Sequence, residues 1–161
     1  MLLTTRDIKE PGLNVLPPGV ERHVINAGGI TGIQIFPDDE IELINDEGNQ
    51  ICEITCFNKD GKCQLEILNL KESRSANSIL EILSNKDEKT LATNLQLKKR
   101  KLNIKNSKTS ILFDRDTPSG EKTKLKARDE CYVILAAPKN QMSISEQNPS
   151  SDLTIFIKRA K

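Results

Sequence analysis

From His23 to Leu70 the apolar positions come in short runs of period two: Ile30 to Phe36, Glu40 to Ile44, Ile51 to Phe57 and Cys63 to Leu68. Alternation of that kind marks strands with one buried face. Between the runs lie Pro37-Asp38-Asp39, Asp46-Glu47-Gly48-Asn49 and Lys59-Asp60-Gly61-Lys62. These residue types suit turns, and Asp-Gly signals a tight hairpin, so the pattern predicts a meandering antiparallel sheet. The period then changes. Ser78-Ile-Leu-Glu81 and Asn85-Lys-Asp-Glu88 have the spacing of capping boxes ahead of Ile82, Leu83, Leu91 and Leu95. Two short helices are expected, about 75–84 and 87–101. After Asn106 the strand pattern returns in Thr109 to Phe113, Glu121 to Ala127, Cys131 to Ala137 and Leu153 to Lys158.

The run Cys131 to Ala137 is apolar on both alternating sets, which predicts a central strand covered on both faces, whereas Leu153, Ile155 and Ile157 predict one buried face. Residues 1–20 hold Pro11, Gly12, Pro17, Pro18 and Gly19 and read as an extended lead-in; Met142 to Asp152 reads as a surface loop. The expected fold is mainly β within the α+β class. It is a small antiparallel β-barrel or two-layer sheet over 21–161, with a two-helix insertion at about 75–101.

Composition narrows the function more than the fold. At 161 residues the chain is the size of one domain. Lys and Arg number 24 against 23 Asp and Glu, which removes any charge-based reason to expect nucleic acid or an anionic membrane as partner. Aromatic residues are 3% of the chain, with no Trp, so little is present to stack bases or flat cofactors. His23 is the single histidine, and within Glu-Arg-His-Val-Ile it reads as a strand-surface residue. The N-terminus has no apolar segment of signal-peptide length and the longest apolar run is far too short to span a bilayer, so a soluble, cytoplasmic protein is expected.

Four cysteines, Cys52, Cys56, Cys63 and Cys131, leave open a disulfide set, a metal site or buried thiols. Cys52 and Cys56 share one predicted strand, where four residues span ~13 Å. A disulfide needs Cα atoms about 4.4 to 6.8 Å apart, and the same distance keeps both from one zinc, so reduced structural cysteines are favoured. Gly28-Gly29-Ile-Thr-Gly32 suggests a phosphate loop, but a strand follows it where such a loop needs a helix, so a turn is preferred. Asp114, Asp116 and Glu121 concentrate carboxylates on one turn and are the candidates for a hard cation. No serine or cysteine has a neighbouring base by sequence, and the scattered acids give no spacing for an acid and base pair.

Three stretches, Ile25-Asn-Ala-Gly-Gly-Ile-Thr-Gly-Ile33, Asp39-Glu-Ile-Glu-Leu-Ile-Asn-Asp-Glu-Gly-Asn-Gln50 and Phe57-Asn-Lys-Asp-Gly61, resemble the opening of the urea carboxylase-associated family. They are closer to a shortened form found as the N-terminal domain of certain long bacterial aminomethyltransferases, relatives of the glycine cleavage T-protein that act on methylated amines with tetrahydrofolate. Ile111 to Glu121, Ala136-Ala-Pro138, Glu146-Gln-Asn-Pro149 and Asp152 to Ala160 are similar to its closing half. In the stand-alone relatives a long segment rich in Cys, His and Asn follows the position of Thr117 to Glu121; here Lys122 to Ala127 runs directly into the next strand. The resemblance therefore implies a non-catalytic accessory domain with no cofactor and no catalytic residue of its own. Tetrahydrofolate would belong to a downstream T-protein-like catalytic domain or subunit, its partner, joined by a linker beginning near Lys158. The alternatives are a minimal urea carboxylase-associated protein with a cation or small carboxylate near Asp114, Asp116 and Glu121, and an interaction module meeting a partner through strand edges or the Lys98 to Lys101 face.

Overall fold

The computed structural model describes residues 16–85, 88–139 and 151–160. In chain order its strands are β1 Val20–Ile25, β2 Ile30–Ile35, β3 Glu40–Asn45, β4 Cys52–Phe57, β5 Arg74–Ser75, β6 Lys108–Phe113, β7 Glu121–Lys126, β8 Cys131–Ala136 and β9 Leu153–Lys158. The helices α1, Asn77–Ser84, and α2, Glu88–Arg100, lie between β5 and β6. One sheet has four strands in the order β1-β9-β3-β7, the other five in the order β2-β8-β4-β6-β5. All pairs are antiparallel. Of the two expected forms, the layered one is observed and not a closed barrel.

Side-chain parity explains the layers. Cys52, Ile54 and Cys56 of β4 and Cys131, Val133 and Leu135 of β8 meet Ile41, Leu43, Leu125, Leu153 and Ile155 of the other sheet in one core. The opposite face of the five-stranded sheet supplies Phe57, Tyr132, Ile134 and Ala136 to a second core with Ile79, Ile82, Leu83 and Leu97 of the helices. The five-stranded sheet is thus the middle layer, which is why every residue of β4 and β8 is buried. The expected doubly covered strand is β8, and Leu153, Ile155 and Ile157 are buried as expected on β9.

Three expectations about elements are corrected. The runs after His23 do not form a meander, because β2 and β4 lie in one sheet and β3 in the other. The turn at Pro37-Asp38-Asp39 carries the chain across the layers. Asp38 takes φ of 70°, its N–H donates to Ala127 O at 2.8 Å, and Ala127 N–H donates to Asp39 O at 3.0 Å. Secondly, Cys63 to Leu68 is not a strand: after one bridge from Cys63 to Phe57 the chain forms a 3-10 turn, Leu65–Leu68. Leu65, Ile67 and Leu68 are all buried, and the adjacent pair breaks the period of two. Thirdly, α1 begins one residue ahead of Ser78, and its N-cap is Ala76 with no side-chain capping bond.

The basic end of α2 is also more than a solvated terminus. Arg100 lies 4.2 Å over the Tyr132 ring and donates to Gln34 Oε1 at 2.7 Å, pinning the helix to the sheet. Gly32 makes room for this. A Cβ there would fall 2.1 Å from the Tyr132 hydroxyl. Residues 1–15 of the expected lead-in and 142–150 of the expected loop lie outside the described residues, and β1 begins already at Val20.

Candidate functional site

Parity places one carboxylate where the sheet should be apolar. On the helix-facing side of β4, Glu53 precedes Thr55 and Phe57 and is fully buried. A carboxylate in that position is strongly destabilising unless paired. Arg74, on the two-residue edge strand β5, donates from Nη2 to Glu53 Oε2 at 2.9 Å, and the Thr109 hydroxyl donates to Oε1 at 3.1 Å. The Arg74 side chain is 46% exposed, so the pair joins the interior to solvent.

Beside this pair, between α1 and the sheet, lies a cavity of about 540 Å³. Glu53 and Arg74 line it together with Ser78, Glu81 and Asn85 from α1 and its C-terminal end. Two further cations, Arg115 and Lys139, enter from other segments. Arg115 comes from the turn between β6 and β7, which Asp114 organises by accepting at Oδ1 from Asp116 N–H at 2.9 Å and from the Thr117 hydroxyl at 3.2 Å. Lys139 follows β8, and its stem runs across Gly28. That glycine has φ of 78°, and a Cβ there would lie 2.8 Å from Lys139 Cε. Among the described lining residues there is no histidine or cysteine. The arrangement offers charge and hydrogen bonds to a bound molecule.

The sequence-derived candidates are dispersed around this site. Asp114 spends its Oδ1 on its own turn, while Asp116 and Glu121 are exposed. Among the described residues no group of three or more His, Cys, Asp or Glu side chains is arranged to hold a metal ion. The turn bearing those acids contributes Arg115 to the cavity instead. His23 lies on β1 with Nε2 3.2 Å from Glu21 Oε1. Gly28 and Gly29 form a turn followed by β2, as expected. All four cysteines are free thiols, Cys63 half-buried and the others buried. Burial pushes the Cys52 thiol above its ordinary range. A hydrogen bond with Cys131, followed by burial, does the same for Cys56.

A second charged cluster, which the sequence did not signal, fastens the two sheets. Arg159, just past β9, donates to Asp39 Oδ2 at 2.8 Å, to Glu21 Oε2 at 2.8 Å and to Gln34 O at 2.8 Å. Asp39 also accepts from Phe36 N–H at 2.9 Å and Ala160 N–H at 2.8 Å. Burial alone would raise the Asp39 carboxyl, but those two N–H groups and the guanidinium outweigh it and hold it below its ordinary value. Glu21 is lowered chiefly by its hydrogen bond to Arg159. These groups satisfy one another, so the cluster reads as a structural clasp.

No family model matches the chain. Over 153 residues, 95% of its length, the chain is 31% identical to trimethylamine-oxide aldolase of Ruegeria pomeroyi. It is similar to one part of an enzyme. That stretch is 19% of the relative, so the chain spans about a fifth of the protein it matches. Among the described residues no helix is long and apolar enough to cross a membrane.

Proposed function

We propose that the chain is an accessory domain of a methylated-amine enzyme, an aminomethyltransferase of the glycine cleavage T-protein type, and that the tetrahydrofolate chemistry belongs to a catalytic domain or subunit beside it. The observation that carries this reading is the near-complete coverage of the chain by one fifth of trimethylamine-oxide aldolase. The domain would act by packing against or gating the catalytic part.

The test has two arms. Purified chain incubated with trimethylamine oxide is followed by proton NMR of the N-methyl signals, and no turnover is expected; turnover by the chain alone overturns the accessory reading. Co-expression with a T-protein-like subunit from the same genome, read by size exclusion, is expected to give a complex, and separate elution overturns the partnership.

A further inference from the structure

We propose that the outer face of α2 is a self-association surface, on which a second copy of this chain docks with its own α2 antiparallel. The inference does not rest on the accessory-domain reading. It starts from how α2 distributes its side chains. Thr90, Thr93 and Leu97 are turned inward and buried, and Asn94 donates from Nδ2 to Leu83 O at 3.1 Å. The other two leucines of the helix point outward, Leu91 47% and Leu95 64% exposed. A leucine alone on a surface is ordinary. These two are one helical turn apart, so they stand side by side and form a single apolar patch, with exposed Ala92 beside it.

The charges around the patch select the occupant. Glu88 is three residues before Leu91, and Lys98 and Lys99 are three and four after Leu95, so all of them lie on the leucine face, the acid at one end and the bases at the other. All three are exposed, and among the described residues none of them enters an ion pair. Glu88 and Lys98 are each five positions from Thr93, the midpoint of the two leucines, or ~7.5 Å along the axis. A two-fold axis at that midpoint sets Leu91 against Leu95 of the second copy. It also brings Glu88 level with Lys98 of that copy and beside its Lys99, and does so at both ends at once.

A parallel arrangement would oppose like charges at both ends and align the helix dipoles, so the antiparallel one is selected. A contact of this symmetry closes at two copies. With 13 residues, α2 is ~20 Å long and offers less than the ~800 Å² that each partner gives to a standard interface. The association is therefore reversible, with a Kd on the order of 100 μM.

The experiment is sedimentation equilibrium of the full chain at low salt, from about 10 μM to about 1 mM, where a monomer–dimer equilibrium is expected. Leu95→Ser should weaken it about tenfold or more, and so should Glu88→Lys, which places like charges opposite each other at both ends. Combining Glu88→Lys with Lys98→Glu and Lys99→Glu makes every pair across the dimer opposite in sign again and should restore the association. A merely structural role for these exposed groups gives no such rescue. Circular dichroism confirms that the helix persists in each variant. The thiol introduced by Leu95→Cys should lose maleimide reactivity as chain concentration rises. A monomer up to about 1 mM, indifference to Leu95→Ser, or no rescue by the triple reversal would each overturn the proposal. Protection of that thiol only on adding a T-protein-like subunit, or equally at every concentration because a segment of the same chain covers it, would overturn it as well.

Discussion

Replacing Arg159 by leucine keeps an apolar stem near Phe36, 5.9 Å from the guanidinium, and removes the charge that neutralises Asp39, whose side chain is only 3% exposed. Stripping one partner from a buried ion pair costs about 3 to 5 kcal/mol. Here Asp39 keeps two backbone N–H donors, and the Arg159 side chain is 20% exposed, which lowers the expected cost to about 2 to 3 kcal/mol even with Gln34 O losing a donor. For a domain of this size that is a fall in Tm of roughly 5 to 10 °C. Urea unfolding followed by circular dichroism measures it, and a cycle with Asp39→Asn isolates the pair. The double variant should be more stable than the sum of the two losses by about 1 kcal/mol or more. A cost for Arg159→Leu within about 0.5 kcal/mol of zero, or strict additivity with Asp39→Asn, would refute the view that this clasp holds the sheets.

The same clasp predicts acid sensitivity. Asp39 and Glu21 are held below their ordinary values of 3.8 and 4.5, so on acidification the unfolded chain takes up protons before the native one. Their stabilisation is present above those values and lost as pH falls through the lower native ones. Asp39→Asn should flatten that part of the stability profile, and an unchanged slope below about pH 4 would count against it. Gly32→Ala puts a Cβ 2.1 Å from the Tyr132 hydroxyl and should cost about 1 to 3 kcal/mol, partly recovered by Tyr132→Val; thermal melts that show no recovery would dismiss the clash. With Ellman's reagent on the folded chain, Cys63 should react first, and Cys52, Cys56 and Cys131 only on unfolding. Rapid loss of all four thiols without loss of structure would contradict their burial. Leu153→Ala, at a fully buried position between the sheets, should cost about 2 to 5 kcal/mol by denaturant titration.

Elements with an unbroken period were readable from the chain, and those decided by a neighbour were not. β8 could be placed as a central strand because both of its alternating sets are apolar. Residues 63 to 68 failed because Leu65 and Ile67 mimic alternation until Leu68, also buried, shows that the backbone has turned. The helices were foreseen within a few residues, but a capping box at Ser78 and Glu81 was not used, since α1 starts earlier. The site was less legible still. Glu53 stands in a run otherwise suited to a two-sided core, a hint that it needs a partner, yet nothing in the sequence identifies Arg74, 21 positions away, as that partner. The turn around Asp114 drew attention for its acids, and its structural contribution to the cavity is the arginine between them.

By itself the sequence determined the class of elements, their approximate limits and the scarcity of histidine and aromatic side chains, because these follow from local periodicity and residue inventory. Only the tertiary structure decided that β1 to β4 and β6 to β9 alternate between two sheets, that Arg100 and Arg159 serve as fasteners, and that cations from three segments share one cavity. The physical reason is range. Periodicity acts over neighbours a few residues apart, whereas the pairing of a buried charge depends on whichever group the folded chain brings within hydrogen-bonding distance, as Arg159 meets Glu21 across 138 positions.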